Sequence, residues 1–314
     1  MFDAAKQRSS NRRQGTLAIS VVITAHNEGS ELLRTVRSVR RYTDALHEII
    51  VVDDGSTDES CLALNAVGVK LIRHERRTGV ASSRDEATQV ATGNVLVYLD
   101  GHQRVSRSCL DRLAQVALDH RAVVSVDVCG FGFLPRRAYG ATFRLCPANG
   151  FFSAKWSHSR PALEVSRTNS LKAPAYAIAA SVYKDIHWIS ALRGWGGSEA
   201  AISLKAFFTG VDILHLRGPL ARHRFRRRFP YTTTWDEVWR NQALIARVCF
   251  DDCTWYDYWL PEVFDKHLSE QARADLECEE VAAEHERFLE RKVRSDRDFW
   301  NELLCQSEPL CMKP

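Results

Sequence analysis

Val95-Leu96-Val97-Tyr98-Leu99-Asp100-Gly101-His102 is the stretch that decides the reading of this chain. An apolar run fit for a strand buried on both faces ends abruptly in an acid, with a histidine two positions on. In a parallel sheet, ligands bind outside the carboxyl ends of the strands. A carboxylate oxygen and an imidazole nitrogen placed there suit one divalent cation. Such a cation suits a phosphate leaving group. The same pair would also fit a plain surface turn, so the question is whether the chain supplies a third ligand.

Working outward, strand and helix patterns alternate. Strands are predicted over 17–24, 48–52, 69–73, 94–99 and 121–127, and a short one over 212–215. Helices are predicted over 30–42, from Asp58 to about 66, over 80–91, 106–119 and 198–208. This alternation predicts an α/β fold with a mainly parallel sheet and crossover helices. Residues 130–175 read as a long irregular stretch punctuated by Gly130, Gly132, Pro135, Gly140, Pro147, Pro161 and Pro174. Such stretches in compact domains usually cover a site. From Thr234 onward the pattern is helical. The division expected is a disordered basic leader over 1–15, a catalytic domain over 16–233 and a helical extension over 234–314 packed on it.

The 314 residues are 45% hydrophobic and 26% charged, with a net charge of +4, the balance of a soluble globular chain. Residues 1–15 have no apolar core of a signal peptide. No apolar run reaches the roughly 20 residues that span a bilayer. The 9 cysteines lack the paired spacing of a zinc site, and reduced thiols in the cytoplasm are the expectation. Arg222, Arg224, Arg226, Arg227 and Arg228 form a local basic cluster that fits a phosphorylated ligand, an anionic surface or nucleic acid.

Other candidates gather at predicted strand ends. His26-Asn27-Glu28 follows strand one, and Asp53-Asp54-Gly55 follows strand two. The two aspartates fit an Asx turn, or a pocket for a nucleotide base or ribose beside strand one. Trp195-Gly196-Gly197-Ser198-Glu199 opens a helix. Ser198 suits the N-cap and Glu199 the positive helix terminus, while the Trp195 face fits a sugar. Arg77 and Arg84 flank the start of the helix after strand three and could reach a diphosphate. His223, among the arginines, is the candidate third metal ligand, with a solvated basic face as the plain alternative.

These motifs resemble inverting family-two glycosyltransferases of the GT-A fold in Ser20–Glu28, Ile49–Ser56 and the strand ending at Asp100. In detail the chain is most similar to polypeptide N-acetylgalactosaminyltransferases. It shares their His-Asn-Glu at 26–28, their Asp-x-His at 100–102, part of their Trp-Gly-Gly-Glu at 195–199, and their His-x-Phe-Arg with Pro-Tyr at His223, Phe225, Arg226, Pro230 and Tyr231. Arg77 and Arg84 match their arginine pair. Asn241 to Asp251 is similar to their asparagine-to-aspartate helix. The resemblance covers about residues 17–260.

The resemblance implies a metal-dependent transferase that moves a hexose or N-acetylhexosamine from a UDP-sugar to a Ser, Thr or Cys of a peptide. A polysaccharide or lipid-linked glycan is the alternative acceptor, and a non-catalytic nucleotide or nucleic-acid binder the remote alternative. It implies Mn2+, or Mg2+, on Asp100, His102 and His223. It implies a nucleotide site of Thr24, Ala25, His26, Glu28, Asp53, Asp54, Arg77, Arg84 and Gly101. Trp195, Glu199, Arg226 and Tyr231 would act in transfer, with Tyr231 on a closing loop. The family's glutamate directly follows Gly-Gly, whereas Glu199 comes one residue later, which on a helix turns the carboxylate by roughly 100°. Sugar specificity and stereochemical course therefore stay open: retention needs no protein base, and inversion would use Glu199. The expectation is a cytoplasmic, bacterial-like relative with neither membrane anchor nor lectin domain, acting on no nucleic acid.

Overall fold

The computed structural model describes residues 16–303 except 134, 150, 173, 227 and 228. The leader over 1–15, Arg227 and Arg228 of the basic cluster, and Cys305 and Cys311 lie outside the described residues.

The centre is a sheet whose first strand, β1 (Ile19–Ala25), is buried along its whole length. It pairs in parallel with β2 (Leu46–Asp53) and with β4 (Val95–Asp100), and β2 pairs in parallel with β3 (Lys70–Arg73). Side chains alternate across the pleat. Along β4, Val95, Val97 and Leu99 enter one apolar core, and Leu96 and Tyr98 enter the other. Helices α1 (Ser30–Tyr42) and α3 (Cys109–His120) cover the first face. Helices α2 (Val80–Gln89), α5 (Ser198–Phe208) and α6 (Trp235–Cys249) cover the second. That two-sided cover is why these strands read as continuous apolar runs.

The far half of the sheet is mixed. β6 (Val123–Gly130) and β12 (Ile213–His223) pair in parallel. Between β6 and β4 lies β11 (Ala175–Ala179), antiparallel to both, and α4 (Ala180–Ile186) follows it. β5 (Gln103–Val105) pairs antiparallel with the end of β12, β7 (Arg137–Ala138) with β6, and β10 (Val165–Thr168) with β12. β8 (Ala141–Cys146) and β9 (Phe151–Trp156) form a separate hairpin.

The stretch over 130–175 is therefore not irregular. It holds β7 to β10, whose short pairings leave no long periodic signal. The strand expected over 212–215 runs on to His223 through a register shift between Leu216 and Leu220, where Gly218 and Pro219 hide the continuation. The helix expected from Asp58 is a 3-10 turn over Leu62–Val67, because the Asp58 carboxylate accepts from Gly29 N–H and from Ser60 instead of capping a helix. Beyond α6, Trp255, Trp259, Phe264, Phe288 and Phe299 share one core with α5 and the sheet. The 7 described cysteines are free thiols, and among the described residues no helix is long and apolar enough to cross a membrane.

Candidate active site

The cleft lies at the carboxyl ends of β1, β2 and β4. It encloses about 940 Å3 and is lined by all the candidate metal, nucleotide and transfer residues except Asp53 and Gly101. Its metal corner is built by the short β5–β12 pairing, which sets His223 opposite Gln103. Asp100 ends β4 on the face of Leu96 and Tyr98, toward α2 and α5. One ligand atom each from Asp100, His102 and His223 lies within 4.8 Å of the others. The two imidazole centroids are 4.7 Å apart, and His223 Nε2 is 3.2 Å from Asp100 Oδ2. Burial would raise the Asp100 pKa, but the hydrogen bond and charge of His223, then Arg84 and His102, hold it well below the usual carboxylate range. One carboxylate and two imidazoles suit a divalent ion of intermediate softness.

A second set of residues fixes these ligands. The His102 Nδ1–H donates to Glu28 Oε2 at 3.0 Å, which leaves Nε2 as the lone-pair nitrogen. Arg226 Nη2 donates to the same carboxylate. Gly101 lets Glu28 come this close, since a Cβ there would stand 2.7 Å from Glu28 Cγ. Its N–H donates to Thr24 C=O on β1. His223 Nδ1 is buried with no partner among the described residues, an orphan that a bound ion or ligand would satisfy.

Arg84 joins the metal corner to the helix of Glu199. It is 1% exposed and donates to Asp100 Oδ1 (3.2 Å), Glu199 Oε1 (2.8 Å) and the Tyr176 hydroxyl (3.0 Å). Arg84 thus meets the acids and not an open diphosphate site. Ser198 is not the N-cap: Gly197 holds that position in left-handed backbone, and Ser198 Oγ donates to Glu199 Oε2 at 2.7 Å. Both oxygens of Glu199 are therefore occupied.

The opposite wall is closed by aromatic rings and one loop. Asp54 accepts from Thr78 N–H (2.7 Å), Gly79 N–H (2.9 Å) and His74 (2.8 Å). Burial would raise its pKa, but these bonds, led by Thr78, hold it low. Asp54 thereby anchors the loop carrying Arg77. Asp53 is fully buried behind the cleft and accepts from the N–H of Ser56, three residues on, which fixes the turn after β2. His26 Nδ1 lies 2.7 Å from Asp54 C=O, and its ring meets Tyr231 edge-on at 5.8 Å. The Arg77 guanidinium sits 4.0 Å from the Tyr231 ring centroid. Tyr231 stacks on Phe229, and Phe229 meets Trp195 at 5.3 Å. Burial pushes the Tyr231 phenol up to about 12, so it stays a hydrogen-bond donor at neutral pH.

Three supports complete the cleft: the sequence offered the Asn241 helix by resemblance and the 130–175 stretch as cover, and gave no sign of the Gly79–Gly194 contact. Asn241, fully buried on α6, donates through Nδ2 to the carbonyls of Arg193 (2.6 Å) and Gly196 (3.2 Å) and so holds the Trp195 loop. Gly79 packs on Gly194 so tightly that a Cβ on Gly79 would lie 2.3 Å from Gly194 N. Ser170, Lys172 and Trp156 bring the 141–172 region to the cleft wall.

Residues 20–174 match the sequence model of Glycosyl transferase family 2. This chain carries a family 2 glycosyltransferase domain. The likeness to known proteins runs beyond the matched span. The chain is 34% identical over 265 residues to human polypeptide N-acetylgalactosaminyltransferase 16, covering 77% of this chain and 47% of that protein. It is 30% identical over 261 residues to mouse polypeptide N-acetylgalactosaminyltransferase 3, covering 74% and 41%. The chain thus spans about half the length of the curated relatives it matches. Among solved structures, GalNAc-T7 with UDP, GalNAc and Mn2+ superposes with a TM-score of 0.70 at 24% identity, over 92% of this chain and 57% of that one. S. aureus TarS 1-349 superposes at 0.50 with 17% identity, over 91% and 73%. Both likenesses are of fold, and the fold is that of GT-A transferases.

Proposed function

We propose that this protein transfers a hexose or N-acetylhexosamine from a UDP-sugar to a Ser, Thr or Cys side chain of a peptide. One observation carries the reading: Asp100, His102 and His223 converge within 4.8 Å in a cleft that also presents arginines and aromatic rings. The relatives that match are named polypeptide N-acetylgalactosaminyltransferases, which supports a sugar nucleotide and a peptide as substrates. A Mn2+ ion on the triad would neutralise the charge gathering on the departing diphosphate. Arg77 and Arg226 face that side of the cleft and add fixed positive charge in a partly dry site. Thr24, Ala25, His26 and Glu28 at the end of β1 form the floor for uridine. Tyr231 and Phe229, resting on Arg77 and Trp195, cover the donor and exclude water, which competes as acceptor.

Glu199 already accepts from Arg84 and Ser198, which supports a course without a protein base. The acceptor hydroxyl or thiol then gives its proton to the leaving phosphate oxygen as the new glycosidic bond forms on the same face. The free cysteines support a reducing, cytoplasmic setting. We assign catalysis to 16–233 and cover of its α5 face to 234–314. The test is UDP release from a panel of UDP-sugars, with and without Mn2+ and a mixed peptide library, in wild type and H102A. Metal-dependent release that H102A abolishes supports the reading. Release indifferent to metal and to H102A sinks it.

A further inference from the structure

Beside the cleft mouth lies a basic, aromatic surface that no step of transfer uses. Phe133 is 96% exposed on the loop after β6, and Phe131 and Phe225 are more than 40% exposed nearby. Part of the patch adjoins the site. The Phe225 ring packs on His223 at 4.6 Å and over Gly130, whose Cβ would stand 3.6 Å from it. Phe131 lies between the guanidiniums of Arg104 (5.7 Å) and Arg224 (6.0 Å). Arg222 and Arg137 flank Cys129 from the two neighbouring strands. The carboxylates that answer this charge are inward: Glu31 takes Arg104 and Arg224, and Asp127, 1% exposed, stands 3.8 Å from Arg137. Arg222 has no carboxylate partner among the described residues.

We infer that this ledge is an acceptor dock that selects peptides carrying acidic and aromatic residues next to the modified side chain. The inference rests on the transferase reading. Charge complementarity names the acidic element, since exposed guanidiniums with spare donors favour carboxylates. The exposed rings name the aromatic one. Continuity through Phe225 onto His223 means that a chain lying on the ledge delivers its neighbouring residue to the metal corner. This favours an acceptor over a membrane surface, which would need a broad face and no path into the cleft.

The test uses the full chain and fluorescein-labelled peptides with a central Thr flanked by Asp and Phe, or by Lys and Phe, or by Asp and Ala. Anisotropy is read at low and high salt. The Asp/Phe peptide should bind at least about fivefold tighter than either control, the scale of a few exposed ion pairs and ring contacts, and should weaken with salt. R222E and F133S should each erase the preference. Equal binding of all three peptides overturns the inference. Vesicles containing phosphatidylserine that bind more tightly than the peptide, with the same sensitivity to both variants, also overturn it in favour of a membrane. Wild-type UDP release is measured in parallel. Metal-dependent release without peptide preference fails the ledge alone, whereas no release from any donor fails the transferase reading and leaves the anisotropy to judge the ledge.

Discussion

Arg84→Met removes the one buried cation that ties Asp100, Glu199 and Tyr176 together. Breaking a buried pair by deleting one partner costs about 3–5 kcal/mol, because the other charge is stranded. Here the stranded side chains of Asp100 and Glu199 keep 26% and 32% exposure, so water recovers part of that and about 3 kcal/mol remains. For 314 residues, at about 2.1 cal/mol/K per residue, the unfolding entropy is about 0.66 kcal/mol/K and the expected fall in Tm is about 4–5 °C. Differential scanning calorimetry at pH 7 measures it. Glu199→Gln alone should cost less, and the double variant R84M/E199Q should fall short of the sum by about 1 kcal/mol, because the pair is lost only once. R84M should also slow UDP release, since Glu199 loses its anchor. A melt within about 1 °C of wild type, or strictly additive variants, would refute the clamp.

Gly101→Ala should weaken Mn2+ binding by roughly 10–100-fold, the usual effect of disturbing the partner of a ligating histidine, because its Cβ meets Glu28 at 2.7 Å; electron paramagnetic resonance of free Mn2+ reads it, and unchanged affinity would show that Glu28 does not orient His102. Gly79→Ala should disturb the cleft more than Gly194→Ala. The first drives a Cβ into backbone at 2.3 Å with φ +118°, whereas the second meets the movable end of the Glu237 side chain; comparative Tm and UDP release decide the order. Acid should unlock the C-terminal helices through Glu284. Burial raises its pKa, but His187 and Lys205 bring it to about 2, below the ordinary 4.5. Its stabilisation is therefore complete above about pH 4.5 and lost as pH falls toward 2. Over that window the wild type should lose on the order of 3 kcal/mol relative to Glu284→Gln; urea titrations at three pH values give the difference, and parallel pH profiles would contradict the assignment.

Much of the near half of the fold was legible because β1, β4 and most of β2 are buried on both faces and α1 carries a clear apolar stripe. β1, β2 and β4 fall within a few residues of the sequence expectation for that reason. The far half was not, because β11 is short and enters antiparallel between two strands that a simple alternation would have paired. β7 to β10 likewise pair too briefly to leave a period. At the site, the residue types and their chain order were readable. Their bonding was not: Ser198 proved a donor to Glu199 and not a cap, and Arg84 a buried clamp.

The sequence by itself determined the chemistry on offer: a strand ending in Asp100 with His102 two residues on, a distant His223 in a basic run, and aromatic and glycine residues before Glu199. These are local patterns, and local patterns survive in one dimension because burial period and capping depend on near neighbours. Only the tertiary structure decided that the pieces form one site. Three residues of β5 pair with the end of β12 and carry His223 to Asp100, and the parity of β4 turns Asp100 toward Arg84 and Glu199. Both depend on register between strands far apart in the chain. A shift of one residue would have sent the same side chains to the other face.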